Sequence, residues 1–176
     1  MSNLFEAVKN GDAELLEKLS REKQSDDDLR GALRNAAESG RLMLVKILTR
    51  HGARDDWAVV AAASFADAKT VDFLARLGGN IDAAFIGAAA HGRLDNARCL
   101  AAFSPSPTAR DEALADAALR GYVDVARFLL DGGADPDAVV WGGKTAAGIA
   151  MEKGDAALIR LFADSKAEKA LKTASE

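Results

Sequence analysis

The sequence predicts an all-α solenoid of stacked helix-turn-helix units, and three observations predict it. First, a six-fold frame runs through all 176 residues: Gly11, Gly40, Ala66, Gly92, Gly121 and Gly154 fall at equivalent places. Second, eight residues after each stand Leu19, Leu48, Leu74, Leu100, Leu129 and Phe162. Third, three and four residues before each stand Ala7/Val8, Ala36/Ala37, Ala62/Ala63, Ala88/Ala89, Ala117/Ala118 and Ala150/Met151. A repeat of this length means that each unit buries its apolar face on its neighbours and not in one closed core.

Taken in order, the units justify two helices each. The first, around Gly11, is followed by a polar acidic stretch from Lys23 to Asp28 that reads as a linker. In the second, Leu33, Ala36 and Ala37 lie at the spacing of one helical face. Gly40 permits the turn, Leu44, Val45, Ile47 and Leu48 form the stripe of the second helix, and His51-Gly52 ends it. The third replaces the turn glycine by Ala66, which predicts a different turn conformation. In the fourth, Phe103-Ser104-Pro105-Ser106-Pro107 reads as an interruption, because proline cannot continue a helix. The fifth runs from Ala117 and Ala118 through Gly121 to Val125, Phe128 and Leu129, and Gly132-Gly133 closes it. The sixth has Ala150, Gly154, Leu158, Ile159, Leu161 and Phe162.

The frame positions are separated by 29, 26, 26, 29 and 33 residues, so the links absorb the differences. Hairpins are expected to be short or absent except in the last link, Asp135 to Lys144, which is long enough for a β-hairpin-like excursion over Gly142-Gly143. Unit edges are expected near 1–28, 29–56, 57–82, 83–109, 110–138 and 139–165, forming one domain, with 166–176 a polar, Lys-rich tail.

Composition narrows the function. A net charge of −4 argues against nucleic acid, which needs a basic stripe. No apolar run approaches the ~20 residues that span a bilayer, so no membrane partner is expected. Met1 to Asp12 carries Glu6, Lys9 and Asp12 and lacks the apolar core of a signal peptide, and Cys99 is the one cysteine. Both fit a cytoplasmic protein.

Little in the chain points to chemistry. His51 and His91 stand in different units without ligand-spaced neighbours, so no metal site is expected. Cys99 shares its frame offset with Ile47, Phe73, Phe128 and Leu161, a core position. Gly143-Lys144-Thr145 lacks the upstream glycine and strand of a phosphate loop. Asp26-Asp27-Asp28 reads as solvated linker, and Asp135-Pro136-Asp137 as a turn. No catalytic residue and no cofactor is expected.

The frame resembles the ankyrin repeat. Ala36-Ala37-Glu38-Ser39-Gly40 and Ala117-Ala118-Leu119-Arg120-Gly121 match the family's Ala-Ala-x-x-Gly centre. Val125 to Asp135 matches its Val-x-x-Leu-Leu-x-x-Gly-Ala-Asp end, and Gly143 to Ala150 keeps part of its start through Thr145. The likeness covers roughly Leu4 to Ala163; it is strong in the second, fifth and sixth units and weaker in the third and fourth. It implies a curved stack with first helices on the concave side, and partners held by link tips and the concave ends of the first helices.

On that geometry the two residues before each frame position face the groove. They supply Glu38, Ser64, Phe65, His91, Leu119, Arg120, Glu152 and Lys153 as partner-binding candidates. Phe65 and Leu119 are unusual there, and with His91 and Arg120 they make the mixed patch of an interface centre. The links add Asp56, Trp57, Asp111, Trp141 and Lys144. The expected function is a non-enzymatic module, monomeric when free, that binds a protein through its groove. One specific form is a bacterial inhibitor or immunity protein acting on a toxin or enzyme. The alternative is a structural or regulatory subunit that self-associates through a terminal repeat, using Leu4, Phe5 and Leu15.

Overall fold

The computed structural model describes residues 3–173. Twelve α-helices and no strand occur among the described residues. They pair as α1 (Asn3–Asn10) with α2 (Ala13–Ser20), α3 (Asp26–Glu38) with α4 (Leu42–Arg50), and α5 (Ala58–Phe65) with α6 (Ala68–Leu77). The next pairs are α7 (Ile81–Ala90) with α8 (Leu94–Ala101), α9 (Pro107–Arg120) with α10 (Val123–Asp131), and α11 (Ala146–Lys153) with α12 (Ala156–Thr173). First helices form one layer and second helices another, and the chain is an ankyrin-like helical solenoid. Contacts within the first-helix layer are the more extensive, closest along α5, α7 and α9. Its closer packing accords with the concave side that the family resemblance assigns to the first helices.

Small residues explain the close approach. Ala36, Ala37, Ala62, Ala63, Ala88, Ala89, Ala117 and Ala118 are all fully buried between neighbouring first helices. Leu48, Leu100 and Leu129 fill the space between the layers, each at most 1% exposed. Burying such a leucine contributes roughly 2 kcal/mol. Met151 departs from the pattern and is 66% exposed. In earlier units this position is covered by the next first helix, and within the described residues none follows α11.

Five of the six turns are left-handed glycines, with φ between 65° and 77°. Ala66 instead ends α5 with φ −90° and ψ −175°, an extended conformation open to any residue. The residue after each turn has two uses. Asp12, Asp67 and Asp155 cap their own second helix, accepting from the Leu15, Thr70 and Leu158 N–H groups. Arg41 and Arg93 reach back instead. Arg41 donates to the Val8 and Lys9 carbonyls, and Arg93 to the Ala66 carbonyl at 2.7 Å. Tyr122, at the same place, lays its ring on the Gly92 turn, where a Cβ would come within 3.0 Å of it.

Two expected linkers run into helix at their C-terminal ends. Asp26, Asp27 and Asp28 form the first turn of α3, because Ser25 caps it: the Asp28 N–H donates to Ser25 Oγ at 3.1 Å. Acidic residues at a helix start are favoured by the unpaired N–H groups there. Phe103 to Ser106 do separate α8 from α9, but Pro107 opens α9 at its first turn, with Ser106 as cap. Consequently the expected edges at 28/29, 82/83 and 109/110 fall inside α3, α7 and α9. The last link holds a short 3-10 turn at Trp141–Gly143 instead of a β-hairpin, closed by the Val140 N–H donating to the Lys144 carbonyl at 2.8 Å. The tail expected from 166 is helical through Thr173, the end of α12, and its last three residues lie outside the described ones.

Candidate partner-binding surface

The concave surface changes character along the array. At its start it shows Glu6, Lys9 and Asn10 on α1, then Asn35, Glu38 and Ser39 on α3, all exposed. At its other end it shows Glu152 and Lys153 on α11. Between them, α5 and α7 are apolar on nearly every side. A helix without a polar face is normally enclosed. Here Val60 and Ala61 on α5 and Ile86 and Gly87 on α7 remain only half-buried.

Phe65 stands at the edge of this strip, 55% exposed. Its ring meets His91 edge-on at a centroid distance of 5.0 Å. His91 follows α7 as its C-cap, and its Nδ1 lies 2.9 Å from the Gly87 carbonyl, which ties the ring to the end of its own helix. Leu119, 38% exposed, and Arg120 continue the surface on α9. Of the expected patch, Phe65 and His91 are in contact, and Leu119 and Arg120 stand at the matching turn-end positions of α9, the next first helix.

The same helix carries a residue outside the expected set. Asp116 lies three and four residues before Leu119 and Arg120, one helical turn away. It is half-buried, and burial pushes its carboxyl above the ordinary aspartate value; nearby Arg120 and His91 oppose that shift, while Glu112 reinforces it. Among the described residues, no hydrogen bond or ion pair reaches this carboxylate. Its spacing from Leu119 and Arg120 was the signal that could have found it.

Several expected residues are engaged within the array. Ser64 is only 8% exposed: Gly87 lets α7 approach so closely that the hydroxyl is enclosed, and it donates to the Val60 carbonyl at 3.1 Å. Asp111 braces the following link, accepting from the Asp135 N–H at 2.8 Å, as Asp82 does from Ser106 at 2.8 Å. The Asp56 backbone carbonyl, not its carboxylate, accepts from the Asn80 N–H at 3.1 Å. These three aspartates share one frame position, ten residues before the turn. Lys144 and Glu152 pair with each other at 2.9 Å, and Lys153 donates to the Leu119 carbonyl. Glu38 is exposed on α3, the helix packed beside α5.

Both tryptophans stand at link tips. Trp57 is 52% exposed, and Asp55 sets its backbone by accepting from its N–H at 3.0 Å. Asp55 is itself held by the Arg34 guanidinium through contacts of 2.9 and 3.2 Å. Trp141 is 42% exposed. Of the residues expected for self-association, Leu4 is buried and Phe5 packs against Gly31, leaving Leu15 partly exposed.

Cys99 is half-buried, with burial raising its thiol pKa and its Sγ 3.7 Å from the Ala68 carbonyl. Those surroundings favour the thiol over the reactive thiolate. No group of three or more His, Cys, Asp or Glu residues able to hold a metal ion occurs among the described residues. Nor is any helix among them long and apolar enough to cross a membrane.

Comparison with known families agrees with this architecture. Residues 113–140 match the family described as ankyrin repeat, from the middle of α9 through α10 into the long link. Repeats of this family generally serve as protein–protein interaction modules. No curated protein matches the chain.

Proposed function

We propose that the protein is a non-enzymatic binding module that holds a protein partner on the concave surface of its third to fifth units. One observation carries the reading: the apolar inner strip of α5 and α7, bounded by Phe65, His91 and Leu119. An isolated array gains nothing by showing this surface to water, whereas a partner that covers it recovers free energy. Covering the exposed half of Phe65 alone is worth roughly 1 kcal/mol. Trp57 stands at the link edge beside the strip and is suited to anchor the same partner. Neither end of the concave surface offers a comparable strip.

An inhibitor of an enzyme or toxin is one form of such a module, because a rigid concave surface can cover an active site. The test is affinity capture from the source cells with wild type and Phe65→Glu in parallel. A specific partner retained by wild type and lost by the variant is expected. Equal retention by both would remove the concave assignment, and assaying the captured partner with and without the module would decide between inhibition and simple assembly.

A further inference from the structure

We propose that the segment docking on the third to fifth units is an apolar peptide carrying one cationic side chain, lysine or arginine, that pairs with Asp116. This deepens the reading above and rests on it.

Three features meet at this point. The strip of half-buried Val60, Ala61, Ile86 and Gly87 lies between the exposed side chains of Phe65 and Leu119. Asp116 closes that strip on α9 with a half-buried carboxylate that has no hydrogen-bond or ion-pair partner in the array. Glu112, one turn earlier on the same helix face, adds negative charge on the side of the links, and Arg120 lies on the opposite side, toward the Gly121 turn.

A carboxylate in this setting has already lost part of its hydration. Docking an apolar segment would remove more, at a cost that grows with every water excluded. A lysine or arginine in the segment reverses the sign, since a charge-assisted hydrogen bond strengthens as water leaves. An anionic segment would meet Glu112 and Asp116 together and be repelled. The two carboxylates also give the cation a direction: it sits toward the links, and the apolar part of the segment crosses Gly87 toward Phe65. The chain's net charge of −4 steers a cationic partner in the same sense.

The test uses a random peptide library displayed on phage and selected against the full chain. Enriched sequences are then synthesised and titrated against wild type, Asp116→Asn, Asp116→Lys and Phe65→Ser, each first checked for wild-type helicity by circular dichroism. Asp124→Asn, at an exposed position on α10, removes the same charge elsewhere.

The expected enrichment is of apolar sequences with a central Lys or Arg. Asp116→Asn should weaken them about tenfold, Asp124→Asn should leave them unchanged, and selection on Asp116→Lys should yield peptides with Asp or Glu instead. Enriched peptides without a basic residue, equal weakening by both Asn variants, or no enrichment would each overturn the proposal. Basic peptides lost by Phe65→Ser but indifferent to Asp116→Asn would sink the cation pairing and leave the concave reading standing. Indifference to both would sink the concave reading itself.

Discussion

The middle and the ends of the concave surface are built on the same backbone and carry opposite surfaces. On α1, α3 and α11 the residues ahead of each turn are Lys9, Asn10, Glu38, Ser39, Glu152 and Lys153, all exposed and all polar. On α5 and α7 the same positions are Ser64, Phe65, Ala90 and His91, two buried and two joined ring to ring. The middle units are also those where the sequence is least like the family's motif, whereas the stretch that matches the family model lies in the fifth. The regular repeats supply the frame, and the departures from regularity supply the distinctive surface.

The largest effect should come from testing the two sides of α7 and α5 against each other. Ala88 is fully buried where α5, α7 and α9 meet. Ala88→Leu must push these helices apart and should cost about 3 kcal/mol. Phe65→Ser, a more drastic chemical change on the concave side, should alter stability by no more than about 1 kcal/mol, most of it the lost ring contact with His91. Urea unfolding of both variants measures this. If Phe65→Ser costs as much as Ala88→Leu, Phe65 belongs to the core and the distinction between the two sides fails.

Next in size is the contrast between turns. Gly92 has φ +66° and carries the Tyr122 ring against its open side. Gly92→Ala should cost about 2 kcal/mol, half from the left-handed backbone and half from the displaced ring. Ala66→Gly should not restore a family-like turn, since the backbone there is already extended. It should instead lower stability by about 1 kcal/mol by widening the unfolded ensemble. A gain in stability from Ala66→Gly would show that the third turn is strained by its Cβ.

These same residues mark how far the sequence could be read. The alanine pairs, the leucine stripe and the glycine turns were legible because burial and positive φ each restrict residue type sharply. Local caps were less so. Asp26 to Asp28 look like linker until Ser25 is recognised as a helix start, and Pro107 looks like a break until its place in a first turn is seen. The groove was legible only to the level of faces. Spacing grouped Phe65, His91, Leu119 and Arg120, and of these Phe65 and His91 meet ring to ring. It could not foresee that Gly87 would enclose Ser64, nor that Lys144 and Glu152 would satisfy one another. Those outcomes depend on the separation of neighbouring helices, which no single unit encodes.

The smallest effect separates the two regions by pH. Glu17, on α2 at the start of the array, is held below the ordinary glutamate pKa by its hydrogen bond to His51, 3.0 Å away, and by Arg50 and Arg21. A depressed carboxylate stabilises the fold above its unfolded pKa near 4.5, and that contribution is lost as pH falls through the lower folded value. Asp116 has the opposite sign. Burial raises its folded pKa above 3.8, so the charged form opposes folding at neutral pH, and acid removes the penalty. Asp116→Asn should therefore be slightly more stable than wild type at pH 7, with the advantage fading as pH falls through the raised folded pKa and gone below the ordinary value of 3.8. Glu17→Gln should be less stable at pH 7 and converge on wild type as pH falls through the lowered folded pKa of Glu17. Chemical unfolding at pH 7 and pH 3.5 reads both. A stability loss for Asp116→Asn at pH 7 would mean that the carboxylate has a stabilising partner within the array. It would then not be available to a ligand. A gain is the mark of a charge maintained at the expense of the fold, which the polar ends of the same surface do not require.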